Sequence, residues 1–174
     1  MRIHPGSGVH YNRPVVLRYE LRPALPRLAW AACVRRQEAV VRVVHGPWVE
    51  VHQDAFVEGA WDGPFEDLGF DRAAMLVGSG ARVTRDGVVF AGHSDLHERL
   101  YVIRGDGELH VSPSLALALA SAGASLDPQE PHYYLDFVDA YRAGIRHPRK
   151  RIRLAQGRSA EMHDVCNLRI TADL

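Results

Sequence analysis

Two short apolar runs separated by a glycine-rich turn constrain the fold of this chain more than any other segment. Residues 100–104 have the sequence LYVIR, residues 108–112 have the sequence ELHVS, and Gly105-Asp106-Gly107 lies between them. β-Branched and aromatic residues favour strands, and short loops that contain glycine join antiparallel neighbours. The sequence therefore predicts a β-hairpin over residues 100–112.

Helices are predicted after this hairpin. Ser112 or Ser114 can cap a short helix over residues 114–122, and Gly123 ends it. A second helix is predicted from about residue 131 to 143, where apolar residues recur at i, i+3, i+4 and i+7. Together the two segments predict a helical layer beside the strands.

Most of the remaining chain has the pattern of strands. Candidate strands lie at residues 15–21, 39–44, 74–77, 81–84 and 88–91, with a last strand or hairpin at 160–170. Runs of strands followed by helices indicate a layered α+β domain rather than alternating βαβ units. Residues 1–14 lack periodicity and are predicted to be a flexible arm, so that residues 15–174 form a single domain.

Composition limits the classes of function. The 21 Lys and Arg residues balance 21 Asp and Glu residues, which argues against a nucleic-acid binder or a protein that binds anionic membranes. No apolar run approaches the roughly 20 residues that cross a bilayer, and the N-terminus has no apolar leader. Two cysteines, Cys33 and Cys166, are too few for a disulfide framework. We therefore predict a cytoplasmic protein with reduced thiols.

The order of elements over residues 88–123 resembles that of the glutaminase domain of asparagine synthetase-like proteins, the class II glutamine amidotransferases. Leu100-Tyr101 stands where that family has Leu-Tyr before a hairpin of small residues, and Val111-Ser112 precedes the helix. The resemblance extends over roughly residues 75–170. It implies an Ntn-hydrolase-like αββα sandwich, in which two mostly antiparallel sheets lie between helices.

The same resemblance implies that catalysis is lost. The family's mature chain begins with a cysteine, whose thiol is the nucleophile and whose α-amino group is the base. This chain begins with Met1-Arg2, and neither Cys33 nor Cys166 can become the first residue without cleavage. The family's ATP pyrophosphatase half, with its S-G-G-x-D-S loop, has no counterpart here. We therefore predict no catalytic residues and no cofactor.

The function that follows from this resemblance is a structural or regulatory one, without glutaminase activity. A glutaminase-like domain without its nucleophile is predicted to serve as a structural or regulatory partner of an ATP-dependent, amide-forming synthetase subunit. Self-association into a homo-oligomer is the other expected partnership, since the net charge of zero removes repulsion between copies. Neither a membrane nor a nucleic acid is an expected partner.

A second hypothesis comes from a different class of protein. His93, His97 and Glu98, followed by Gly105 and a hairpin, resemble part of a cupin metal motif. Imidazole and carboxylate groups can hold a divalent metal. However, the motif's first histidine falls at Ala91, and no second motif follows, so a polar surface turn is favoured. The alternative is thus an all-β, cupin-like jelly roll, a small metal-binding protein or enzyme that uses these three residues.

Two smaller features complete the predictions. Glu58 and Asp62 could form an acidic pair beside a group of aromatic residues, and the basic residues between 146 and 153 suggest a solvated loop. The aromatic group is predicted to belong to the core; its members are Trp48, Phe56, Trp61 and Phe65.

Overall fold

The computed structural model describes residues 15–36, 38–95, 98–129, 151–164 and 167–171. Of these residues, 52% are in strands and 10% in helices. The predicted α+β, Ntn-hydrolase-like αββα sandwich is therefore wrong, because the described chain has two sheets and a single α-helix of seven residues. The physical reason is that the β-branched and aromatic segments form strands that pair with each other: β3 buries every second side chain, and β7 is buried throughout. The second predicted helix, at 131–143, lies outside the described residues.

The strands divide between two sheets. The larger sheet has seven strands in the order β1-β3-β2-β9-β8-β11-β10, and the smaller has five in the order β12-β7-β6-β5-β4. The pair of β1 and β3 is parallel, and the other described pairs are antiparallel. The elements are β1 (Val16–Leu21), β2 (Trp30–Arg35), β3 (Val40–His45), β4 (Glu50–Val51), β5 (Ala55–Trp61), β6 (Leu76–Thr84), β7 (Gly87–Ala91), β8 (Arg99–Arg104), β9 (Glu108–Ser112), α1 (Leu115–Ser121), β10 (Arg151–Arg153), β11 (Ser159–Asp164) and β12 (Asn167–Thr171).

The predicted hairpin and the helix after it are confirmed. Strands β8 and β9 pair antiparallel, with Tyr101 opposite Ser112. Helix α1 begins after Ser114, whose hydroxyl accepts a hydrogen bond of 3.4 Å from the backbone N–H of Leu117. Gly123 follows the helix with a left-handed φ of 55°, the conformation that commonly ends helices.

Other predicted strands are confirmed with changed boundaries. The two short candidates at 74–77 and 81–84 form one continuous strand, β6. The last candidate, at 160–170, contains two strands, but β11 pairs with β8 in the larger sheet and β12 pairs with β7 in the smaller one. The chain therefore changes sheet here and does not form a hairpin.

The core lies between the two sheets. Trp30 of the larger sheet is fully buried, and its ring centroid lies 4.9 Å from that of Phe56 and 6.0 Å from that of Phe90, both in the smaller sheet. Face-to-face packing of two sheets through aromatic and branched side chains defines a β-sandwich. Burial of this apolar surface is the main force that holds the sheets together.

Two further apolar clusters cover the outer faces. On the smaller sheet, Trp61 and Leu76 pack against Phe70, which lies in a short 3-10 turn. On the larger sheet, Ile103 and Ala118 belong to a cluster that α1 covers. Each sheet is thus partly buried on both faces.

The prediction that four aromatic residues belong to the core is half correct. Phe56 and Trp61 are buried, whereas Trp48 and Phe65 are 60% and 53% exposed. The guanidinium of Arg27 lies 4.2 Å from the centre of the Trp48 ring, and the Phe65 ring lies 4.5 Å from that of Trp61. The two exposed rings therefore pack on the surface of the sandwich.

The strand order also differs from that of the alternative, jelly-roll prediction. Strands β4, β5, β6 and β7 are neighbours in one sheet in their order along the chain, as in a meander. A jelly roll instead winds its strands through two Greek keys. Among the residues that the structure describes, no helix has the length and apolar character needed to span a membrane.

Candidate functional site

The pairing of β2 with β9 places three metal-binding types of side chain together. Cys33 is the Cα partner of His110 in this antiparallel pair, and Glu108 lies two residues before His110 on the same strand. Because side chains alternate between the faces of a sheet, the neighbours Val34 and Leu109 point into the core. Cys33, Glu108 and His110 therefore share the outer face of the larger sheet.

These three side chains converge. The Cys33 sulfur, a Glu108 carboxylate oxygen and a His110 ring nitrogen all lie within 4.8 Å of one another. No other group of three His, Cys, Asp or Glu side chains in the described part of the chain brings its ligand atoms as close. We refer to Cys33, Glu108 and His110 as the CEH cluster.

Hydrogen bonds hold the CEH cluster in place. Arg35 donates from Nε to Oε1 of Glu108 over 2.7 Å, and the other carboxylate oxygen, Oε2, lies 3.3 Å from Nε2 of His110. Nδ1 of His110 lies 2.9 Å from the hydroxyl oxygen of Ser121 in α1. The imidazole is therefore oriented from both sides, by a strand and by the helix.

The environment sets the protonation of the cluster. Burial raises the pKa of the Cys33 thiol, and the negative charge of Glu108 raises that pKa further. Burial also lowers the pKa of His110, which outweighs the opposite effect of Glu108. At neutral pH the thiol is protonated and the imidazole is neutral. A thiol in this state is a poor nucleophile, but a neutral imidazole is the form that binds metals.

A cleft with a volume of about 570 Å³ opens beside the cluster. Arg158 lies in its wall, where one terminal guanidinium nitrogen donates to the carbonyl oxygen of Ala122 over 3.2 Å. Nε of Arg158 is buried and has no hydrogen-bond partner among the described residues. The other lining residues are Arg104, Gly105, Asp106, Glu108, His110, Ala122 and Gln156.

His93 and Glu98, two of the three metal ligands predicted from the sequence, lie outside the CEH cluster. Nδ1 of His93 accepts a hydrogen bond of 3.2 Å from the backbone N–H of Asp95, and Glu98 is exposed. His97 lies outside the described residues. Neither His93 nor Glu98 belongs to a group of three potential metal donors within the described ranges.

The proposed acidic pair consists of two carboxylates with different partners. Glu58 accepts a hydrogen bond of 2.6 Å from the Ser79 hydroxyl, while Asp62 accepts one of 2.8 Å from the backbone N–H of Met75. Burial raises the pKa of Glu58 to about 7, and the charge of Glu98 contributes to the rise. Ser79 links Glu58 to the core, because its hydroxyl also accepts a hydrogen bond from Nε1 of Trp30.

The fold and the site together define a class: a β-sandwich protein with a Cys-Glu-His cluster on the outer face of its larger sheet. Comparison with protein-family models, curated proteins and solved structures finds no match for this chain. The resemblance to a glutamine amidotransferase domain therefore stays a prediction, and the functional proposal comes from the chain's own residues.

Proposed function

We propose that this protein binds a divalent transition-metal ion, with Zn²⁺ as the best fit, through Cys33, Glu108 and His110. The observation that supports the proposal is the convergence of a sulfur, an oxygen and a nitrogen donor within 4.8 Å. Thiolate and imidazole ligands favour zinc-type ions over Mg²⁺ and Ca²⁺, which prefer oxygen.

The contacts of the cluster assign one donor atom to each residue. In the metal-bound state, Nδ1–H of His110 can donate to the hydroxyl oxygen of Ser121, and Nε2 exchanges its contact of 3.3 Å with Oε2 of Glu108 for the metal. Arg35 occupies Oε1 of Glu108, which leaves Oε2. Ligand atoms around tetrahedral zinc lie about 3 to 4 Å apart, so a contraction of the cluster by about 1 Å completes the site.

The protonation of the apo cluster is compatible with metal binding. The pKa of Cys33 is raised, so the thiol carries its proton until a metal replaces it. Zinc-type ions deprotonate coordinating thiols outright, and binding releases the proton to solvent. Three protein ligands leave a fourth position, which is the arrangement of zinc sites that bind an exchangeable ligand.

This proposal differs from the two functions predicted from the sequence and depends on other residues. The fold expected for a silent glutaminase partner is not the one that the described residues form, while the partnership itself stays a prediction from the sequence. The cupin-like site at His93, His97 and Glu98 stays a prediction, whereas the donors proposed here are ones that the strand register brings together.

The test is a titration of the purified protein with Co²⁺, which reports thiolate coordination through a charge-transfer absorption. We expect one equivalent to bind wild type, and Zn²⁺ to displace it. Cys33→Ser and His110→Ala each remove a metal ligand. Each should therefore lower the affinity for Co²⁺ by more than the roughly 10- to 100-fold that the loss of a residue supporting a ligand costs.

Two control variants separate the site from incidental binding. His52→Ala removes the histidine of an exposed His–Glu pair, 2.7 Å from Glu50, and should leave the affinity unchanged. Cys166→Ser removes the second cysteine of the sequence and should retain the charge-transfer band. Wild type that binds no Co²⁺, or a Cys33→Ser variant that keeps the band, would show that the CEH cluster is only a hydrogen-bonded network.

A further inference from the structure

We infer that the cleft beside the CEH cluster binds a small organic anion, whose carboxylate or phosphate group contacts Arg158 and takes the metal's fourth position. This inference rests on the proposed function, since it names the ligand class of the same metal site. It starts from the cleft, which is lined by both Glu108 and His110 and by two arginines.

Arg158 is the residue that selects an anion. Its guanidinium donates a hydrogen bond to the carbonyl oxygen of Ala122. The guanidinium also packs closely against Gly105, where an added Cβ would lie 3.4 Å from Nη2. Its buried Nε has no hydrogen-bond partner in the described structure. A buried donor without a partner is unfavourable, whereas carboxylates and phosphates match the planar fork of an arginine.

The charges around the site favour the same ligand. A bound divalent ion would be neutralised by the Cys33 thiolate and the Glu108 carboxylate. Arg35 also lies 3.7 Å from Glu38, which offsets its charge, so Arg158 is the positive charge that would remain in the wall of the cleft. Arg104 and Asp106 at the rim are both exposed and have opposite charges, and Arg104 lies 3.6 Å from Glu161, so solvent screening and pairing leave Arg158 as the main charge that an anion would meet.

The size of the cleft indicates an organic molecule. The cleft, with a volume of about 570 Å³, is open to solvent and has room for a small organic molecule beside Arg158. Gln156 supplies an amide to the wall from a left-handed backbone conformation, with φ of 62°. An acid or phosphate ester with a short polar body therefore fits better than a bare inorganic ion.

The experiment uses the Co²⁺-loaded full chain at constant ionic strength. Succinate and inorganic phosphate are titrated separately, with the neutral succinamide as the control, and the visible d–d absorption of Co²⁺ is followed. We expect a saturable spectral change with at least one of the two anions and none with succinamide. A response to succinate alone, to phosphate alone or to both assigns the ligand to carboxylates, phosphates or oxyanions in general.

The variant that tests the role of Arg158 is Arg158→Gln. It should bind Co²⁺ at least as tightly as wild type does, because a positive charge near His110 is removed, but bind the active anion about tenfold or more weakly, since it loses a charged, forked donor. Arg169→Gln removes an exposed arginine of the smaller sheet and should change neither affinity. A thermal unfolding curve checks that both variants are folded.

The outcomes distinguish the two proposals. If wild type binds Co²⁺ but neither anion changes the spectrum, or if Arg158→Gln responds as wild type does, the anion site is refuted and the metal site stands. If wild type does not bind Co²⁺, both proposals fail together.

Discussion

Cys33 and His110 lie directly opposite each other on the antiparallel strands β2 and β9, although they are far apart in the sequence. This register is fixed by the core, because a shift of one residue would turn Val34 and Leu109 outward and bury the polar side chains. The CEH cluster is therefore a consequence of how the two strands pair. The helix that packs over β9 then supplies Ser121 to the imidazole.

Ser121→Ala should weaken metal binding without unfolding the protein. The hydroxyl lies 2.9 Å from Nδ1 of His110 and orients the ring, and loss of such a supporting contact typically costs 10- to 100-fold in metal affinity. Alanine is a better helix former than serine, so α1 should not be weakened. Isothermal titration with Zn²⁺ measures the affinity. The matched control is Ser125→Ala, which changes an exposed serine outside the helix. Equal affinities for the two variants would show that Ser121 does not support the metal site.

The parts of the fold that the sequence predicted are those with local signals. The hairpin over β8 and β9 depends on a glycine-rich turn between two apolar runs, and α1 depends on a serine cap and a terminal glycine. Each signal lies within a few residues of the element that it specifies. Such signals can therefore be recognised without knowing which distant segments pair.

The parts that could not be predicted depend on pairing between distant segments. Alternation in β9 already indicates that Glu108 and His110 share the face opposite Leu109. Nothing local indicates that Cys33 lies beside them, because that contact requires β2 to pair with β9 and not only with its sequence neighbour β3. The assignment of β11 and β12 to different sheets has the same cause.

Protonation of Glu58 should make the protein more stable at low pH than at neutral pH. Burial raises the pKa of this carboxyl from 4.5 to about 7 in the folded state, so the folded protein holds the proton more tightly than the unfolded chain. This contribution to stability is complete below about pH 4.5 and is lost as the pH rises through 7. The shift corresponds to at most about 3 kcal/mol, and partial solvent exposure reduces the measurable loss to about 1–2 kcal/mol.

Glu58→Gln isolates this effect, because the amide keeps the size of the side chain and can still accept the hydrogen bond from Ser79. The difference in unfolding free energy between the variant and wild type, measured in urea at pH 4.5, 6 and 7.5, should favour the variant increasingly as the pH rises. Glu98→Gln should lower the pKa of Glu58 and reduce the slope only in part. A difference that does not change with pH would mean that Glu58 titrates normally.

Trp30→Phe should destabilise the sandwich by about 2 kcal/mol. Trp30 is completely buried between Phe56 and Phe90, and the smaller ring leaves a void and removes the hydrogen bond of 2.9 Å to Ser79. Urea unfolding followed by far-UV circular dichroism gives the free energy. Trp48→Phe is the matched control, because that ring is 60% exposed, and it should change stability by less than about 0.5 kcal/mol. Similar losses in both variants would contradict the position of Trp30 in the core.

Asp71→Asn should destabilise the protein because it breaks a largely buried ion pair. Both oxygens of Asp71 accept hydrogen bonds from Arg82, at 2.8 and 2.6 Å, and the aspartate side chain is only 7% exposed. The asparagine amide group would turn a donor toward the guanidinium and leave a charge without its partner, a loss of about 2–4 kcal/mol. The matched control is Asp86→Asn, which removes an exposed partner 3.6 Å from Arg169 and should cost less than about 1 kcal/mol. The midpoint of urea unfolding should therefore fall clearly for Asp71→Asn and hardly for Asp86→Asn. Equal midpoints would show that the ion pair with Arg82 does not stabilise the 3-10 turn at Phe70–Arg72.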